Sequence, residues 1–198
     1  MEKDRIFKIA GVGVFSALVF VASMISIPIP VAIGDVTRIH LGNIFCLISG
    51  LILGPVSGGL SAGIGSMLYD FTNPAYISSA GFTLVFKFML AFTCGLIAYY
   101  GKKEGKSFKV NLMATIAGSL VYMVLYLSKS FVEGMLLGNT LEALMPAIIT
   151  KAGVSLINAI IAVVVSVSFG AVIRSALDKS GLLRFVKPIK LKKATRNI

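Results

Sequence analysis

Arg38, His40, Asp70, Lys87, Lys129, Glu133 and Lys151 are the side chains on which chemistry would rest, because each lies within or at the end of a long apolar run. An ionisable group near the centre of a membrane helix costs roughly 2.5 to 3.5 kcal/mol on insertion scales, so such groups usually face a cavity or a partner. Their spacing is helical. Tyr122, Tyr126, Lys129 and Glu133 stand at i, i+4, i+7 and i+11 on one helix face, and Lys151, Ser155 and Asn158 stand at i, i+4 and i+7. Ser66 with Asp70, and Thr83 with Lys87, form two shorter stripes. Aromatic surface with a few directed polar groups suits a small heterocyclic ligand, stacked on tyrosine and oriented by hydrogen bonds.

Catalysis lacks its usual parts. His40 is the single histidine, which excludes an HExxH zinc-protease pair, and Cys46 and Cys94 offer neither a disulfide framework nor a metal-ligand spacing. Asp70, Lys87 or Lys129 could exchange a proton, but no GxSxG element, paired-aspartate pattern or metal cluster gives them a reaction. No GxxxxGK[ST] loop is present to hydrolyse nucleotide. The expectation is binding, with no catalytic residue, no metal and no cofactor.

Plainer roles stand beside these. Lys129 and Glu133 also fit an i,i+4 ion pair, and Lys151 fits snorkelling to headgroups. Lys87 lies five residues inside its helix, which favours a site or an ion pair with Asp70. His40 suits a hydrogen-bonded structural role, and the tyrosines suit an interfacial belt, for which reason Tyr99 and Tyr100 are left out of the site.

The elements that must position these residues are membrane helices. Of the 198 residues, 57% are hydrophobic and 14% charged, against about 25% charged in a soluble domain. The fold class is all-α, an integral membrane bundle of about six spans at 6–27, 39–54, 56–71, 82–100, 110–132 and 143–173. Residues 1–178 form one domain and 179–198 a basic cytoplasmic tail. Reading residues 39–71 as one helix would give about 50 Å, too long for one crossing, and Gly54-Pro55 marks the break of a tight hairpin. The first span reads as a retained helix, since Pro28-Ile29-Pro30 follows without a small-residue cleavage site. Gly50, Gly54 and Gly58, and Gly59 with Gly63, have the small-xxx-small spacing that lets helix backbones approach closely in lipid.

Basic loops stay cytoplasmic. Lys3, Arg5 and Lys8, then Lys102, Lys103, Lys106 and Lys109, then eight residues from Arg174 onward hold fifteen of the nineteen basic side chains. Both termini are therefore expected inside. The other level holds Arg38, Lys87, Lys129 and Lys151 against Asp35, Asp70, Glu133 and Glu142, so the net charge of +11 is all cytoplasmic. That excess needs no nucleic-acid partner, and anionic lipid headgroups favour it.

The run IHLGNIFCLISGLILGPVSGGLSAGIGSMLYDFTNPAY, residues 39 to 76, resembles the helix-two to helix-three hairpin of S components of energy-coupling-factor (ECF) transporters. Its LGN start, LGP turn, glycine-rich third helix and acidic Asp70 are most similar to the riboflavin-type or uncharacterised group. The resemblance implies a multi-pass protein of the prokaryotic plasma membrane that captures a small water-soluble vitamin or precursor near the extracellular face. Its implied partners are the lipid bilayer, a transmembrane coupling protein and two cytoplasmic ATPases, with toppling of the S component carrying the pocket inward. Asn43, Asn73 and Tyr76 of this run join Arg38, His40, Asp70, Lys87, Tyr122, Tyr126, Lys129, Glu133, Lys151, Ser155 and Asn158 as candidate substrate-binding residues. Ala10, Gly13 and Ala17 are the small-residue face that would meet the coupling protein. The alternative is a self-sufficient secondary transporter of a small heterocyclic metabolite, against which stands the lack of a clear inverted repeat. Riboflavin, hydroxymethylpyrimidine, a pyridoxine-type compound, pantothenate and a queuosine precursor all remain compatible.

Overall fold

The structure, a computed structural model, describes residues 2–32, 36–100 and 105–186. Asp35, Lys102, Lys103 and the tail from residue 187 lie outside the described residues. The chain runs α1 (Glu2–Met24), β1 (Ser26–Pro30), β2 (Val36–His40), α2 (Gly42–Leu53), α3 (Pro55–Phe71), a 3-10 turn (Ile77–Ser79), α4 (Ala80–Ala98), α5 (Phe108–Leu136), α6 (Leu141–Lys179) and a short α7 (Leu183–Val186).

At 1.5 Å per residue α2 is only about 18 Å long, well short of a hydrocarbon core of roughly 30 Å. It is also the most enclosed element: all of its twelve residues except Phe45 are buried, against α1, α3, α4 and α6. Among the described residues, four helical stretches are long and apolar enough to cross a membrane, Arg5–Met24, Ile77–Ala98, Phe108–Leu136 and Leu141–Lys179. Large apolar side chains on them, such as Val14, Val85, Val124 and Ile160, are exposed outward. An apolar belt of this extent requires lipid or protein against it.

Gly54 divides α2 from α3. Its φ of 80° is a conformation that side chains with a Cβ disfavour, and Pro55 opens α3 at a position whose N–H would be unpaired in any helix. The two helices then fold back on each other, with Ser49 Oγ donating to the Gly58 carbonyl at 3.0 Å. The glycine spacing reflects this packing. A Cβ built on Gly50 would stand 2.5 Å from the Ala91 carbonyl oxygen of α4, so α2 and α4 touch backbone to backbone.

Where a helix was expected to reach residue 27 and another to begin at residue 39, the chain instead forms a two-stranded antiparallel hairpin that pairs Ser26 with His40 and Pro30 with Val36. Proline explains the change. Pro28 and Pro30 cannot continue α1, and being two residues apart they put both missing donors on the same side of β1, which an edge strand tolerates.

The ends of α2 are satisfied in apolar surroundings by side chains from elsewhere. The Gly42 N–H donates to His40 Nδ1 at 3.1 Å, while Tyr99 Oη and Arg174 Nη1 donate to the Ile52 and Leu51 carbonyls at 2.7 and 3.1 Å. Tyr99 is thus a cap for α2, and Tyr100 is exposed. Enlarging Gly50 should separate α2 from α4. Gly50→Leu is expected to lower the thermal midpoint of the detergent-solubilised protein by the equivalent of about 2 kcal/mol or more, the scale of overpacking a core. Gly13→Ala, at a position with open space around it, should leave that midpoint unchanged.

Candidate functional site

Because α2 begins only at Gly42, the bundle beyond its N-terminus is not filled by helix. The space is bounded by the C-terminal ends of α3 and α5, the N-terminal ends of α4 and α6, and the β1–β2 hairpin. A cavity of about 370 Å³ lies there, within the range of small-molecule sites. Its walls include Arg38 and His40 of β2, Asp70 of α3, Tyr76 of the following loop, Lys87 of α4, Tyr122, Tyr126, Lys129 and Glu133 of α5, and Lys151, Ser155 and Asn158 of α6.

Arg38 is gripped on three sides. Its Nη2 meets Asp70 Oδ1 at 3.2 Å, and its guanidinium carbon sits 4.0 Å from the Tyr69 ring centroid and 4.5 Å from that of Tyr76. A planar guanidinium held by a carboxylate and in contact with two aromatic rings is strongly positioned. Asn158 fixes the strand that carries it: the His40 N–H donates to Asn158 Oδ1 at 3.0 Å, and Asn158 Nδ2 donates to the Arg38 carbonyl at 2.8 Å. A single α6 amide thus satisfies the backbone of β2, and Tyr126 adds a 3.3 Å hydroxyl contact to Thr37.

Lys87, seven residues into α4, is 2% exposed. Its Nζ donates to Asn43 Oδ1 in the first turn of α2 and lies 3.8 Å from the centroid of Tyr122. The pairing with Asp70 weighed from the sequence is therefore not made; Asp70 goes to Arg38, and Asn43 stands behind Lys87 rather than in the cavity wall. Lys129 takes both roles available to it, pairing with Glu133 four residues on and donating to Ser79 Oγ at 2.9 Å while lining the cavity. Lys151 is buried and donates to Ser130 Oγ at 2.7 Å, so it does not snorkel. His40 caps α2 while also lining the wall.

Asn73 is outside the cavity wall. Its Oδ1 accepts from the Ala75 N–H at 3.0 Å, a local turn within the loop after α3. The tyrosine faces also differ from expectation. Tyr122 and Tyr126 stack on each other with centroids 6.0 Å apart, and ammonium groups of Lys87 and Lys151 lie over them, at 3.8 and 5.7 Å. A ligand ring would share these faces with cations.

Ser79, Ser130, Thr37, Phe82 and Phe86 also line the cavity and were not singled out. Two were within reach of the same periodicity: Ser79 is four residues before Thr83 on the Lys87 stripe, and Ser130 is four after Tyr126. Ala10, Gly13 and Ala17 lie exposed on α1, away from the cavity wall.

Residues 3–175 match the family described as ECF-type riboflavin transporter, S component. A relative from Pyrococcus woesei, described as an uncharacterized protein in gap 3'region, is 31% identical over 116 residues, which cover 59% of this chain and 72% of the relative. Together with the apolar helices and the polar cavity, this match over nearly the whole chain places it in a known group: the chain belongs to the S-component family of ECF-type riboflavin transporters, membrane-embedded subunits that bind a vitamin for transport and are not enzymes.

Proposed function

We propose that this chain captures a vitamin or vitamin precursor at the outer face of the prokaryotic plasma membrane, as the S component of an ATP-driven ECF importer. The observation that carries the reading is the cavity of about 370 Å³ at the N-terminal end of α2, where polar side chains from four helices and a hairpin converge inside an otherwise apolar bundle. The family's description makes riboflavin the first compound to test.

The charge distribution supports the orientation. Lys106, Lys109, Arg174 and Lys179 lie at the end opposite the cavity, which under the rule that basic loops stay inside faces the cytoplasm. In this arrangement α1 to α6 are all embedded, with α2 enclosed by its neighbours and α3 turning Leu60 and Leu68 outward, and both termini are cytoplasmic. The coupling protein docks on the exposed α1 face of Ala10, Gly13 and Ala17, and two separate ATPases drive release.

Co-expression with an ECF coupling protein and its ATPases should give a complex that purifies together and supports vitamin uptake dependent on ATP hydrolysis. Undiminished uptake in cells lacking the ATPases would instead indicate a self-sufficient secondary transporter. Within the site, Asn158 acts as a positioning residue through the backbone of β2. Asn158→Leu should weaken ligand binding about tenfold, chiefly through faster dissociation, because two hydrogen bonds holding the wall, one buried and one part-buried, are lost. Dissociation at the wild-type rate would remove Asn158 from the site.

A further inference from the structure

Four cations and two carboxylates line the cavity among the described residues: Arg38, Lys87, Lys129 and Lys151 against Asp70 and Glu133. Both carboxylates have cationic partners, Asp70 in Arg38 and Glu133 in Lys129. Lys87 has no carboxylate among the described residues within ion-pair distance. Its contacts are neutral, the Asn43 amide oxygen and the Tyr122 ring, although it is 2% exposed in an apolar bundle. A buried ammonium with only neutral partners leaves a charge that its surroundings do not balance. Arg38 repeats the shortage in a different form, since its Nη1 is buried without an acceptor. At the inner end of the cavity, donors and positive charge exceed what the acceptors among the described residues satisfy.

We infer that the ligand is a small oxyanion, a compound whose carboxylate or phosphate comes to rest against Lys87 with the remainder of the molecule toward Tyr126 and the cavity mouth. This rests on the capture function proposed above and narrows its substrate class: the bound anion supplies the counter-charge that the described wall lacks. Asn43 is a positioning residue that holds the Lys87 ammonium at the inner end without neutralising it.

Binding to the full chain in detergent or nanodiscs, measured by calorimetry with two matched pairs, tests this: pantothenate against its neutral alcohol panthenol, and flavin mononucleotide against riboflavin. In at least one pair the anion should bind about tenfold or more tighter than its neutral partner, the order expected for a buried charge-assisted contact. The pair that shows the preference distinguishes carboxylate from phosphate. Asn43→Asp would place an internal counter-ion beside Lys87 and should abolish that preference; Lys87→Gln should abolish it as well, giving a second route if either variant fails to fold. Binding of riboflavin or panthenol at least as tightly as the matched anion would overturn the inference while leaving vitamin capture intact. Binding of none of the four compounds would overturn the inference, and vitamin capture itself is decided separately by the ATP-dependent uptake described above.

Discussion

The length of α2 constrains everything above it. Twelve residues give a helix of about 18 Å, packed against α1, α3, α4 and α6, while α3, α4, α5 and α6 supply the helical walls of the cavity beyond its N-terminus. A bundle whose central helix stops short must either collapse or leave a space, and here long helices and the hairpin hold that space open. The same termination exposes the first N–H groups of α2 to the cavity end, where His40 accepts from one of them. At the other end, Arg174 and Tyr99 satisfy carbonyls that lipid could not. Helix length, helix-end chemistry and cavity position are thus one arrangement.

The cavity places several charges in an apolar bundle, which would be prohibitive if they were isolated. Each is held by a different combination. Arg38 has Asp70 and two tyrosine faces, Lys129 has Glu133 and Ser79, and Lys87 has an amide oxygen and the Tyr122 ring. A desolvated cation over an aromatic face is stabilised by about 2 kcal/mol or more. That is appreciable but smaller than the cost of stripping an ammonium of water, so a ligand that offers Lys87 a better partner draws on a difference already present in the site. The tyrosines thus act as platforms for cations.

Much of this was legible in the sequence, and the parts that were not share a cause. The stripe from Tyr122 to Glu133 and the stripe from Lys151 to Asn158 follow from helical periodicity alone, and both line one cavity. Gly54-Pro55 carried the hairpin in its own conformational requirements. The β1–β2 hairpin was missed because Pro28 and Pro30 mark where a helix must end without specifying the conformation of the next segment. Partner choice was also out of reach: periodicity puts Asp70 and Lys87 at one level, yet whether Asp70 meets Lys87 or Arg38 depends on how a strand 32 residues earlier is clipped to α6 by Asn158. Asn73 sat in the right loop, but its side chain serves the turn.

Cysteine accessibility tests the central claim most directly, because Cys46 and Cys94 are both buried and leave a quiet background. Ser78 is exposed at the cavity wall and Lys106 is exposed at the opposite end. In intact cells, a membrane-impermeant maleimide should label Ser78→Cys but not Lys106→Cys, and saturating riboflavin or pantothenate should protect Ser78→Cys. Labelling of Lys106→Cys from outside, or labelling of Ser78→Cys that neither compound slows, would contradict an outward-facing capture site built over the short α2.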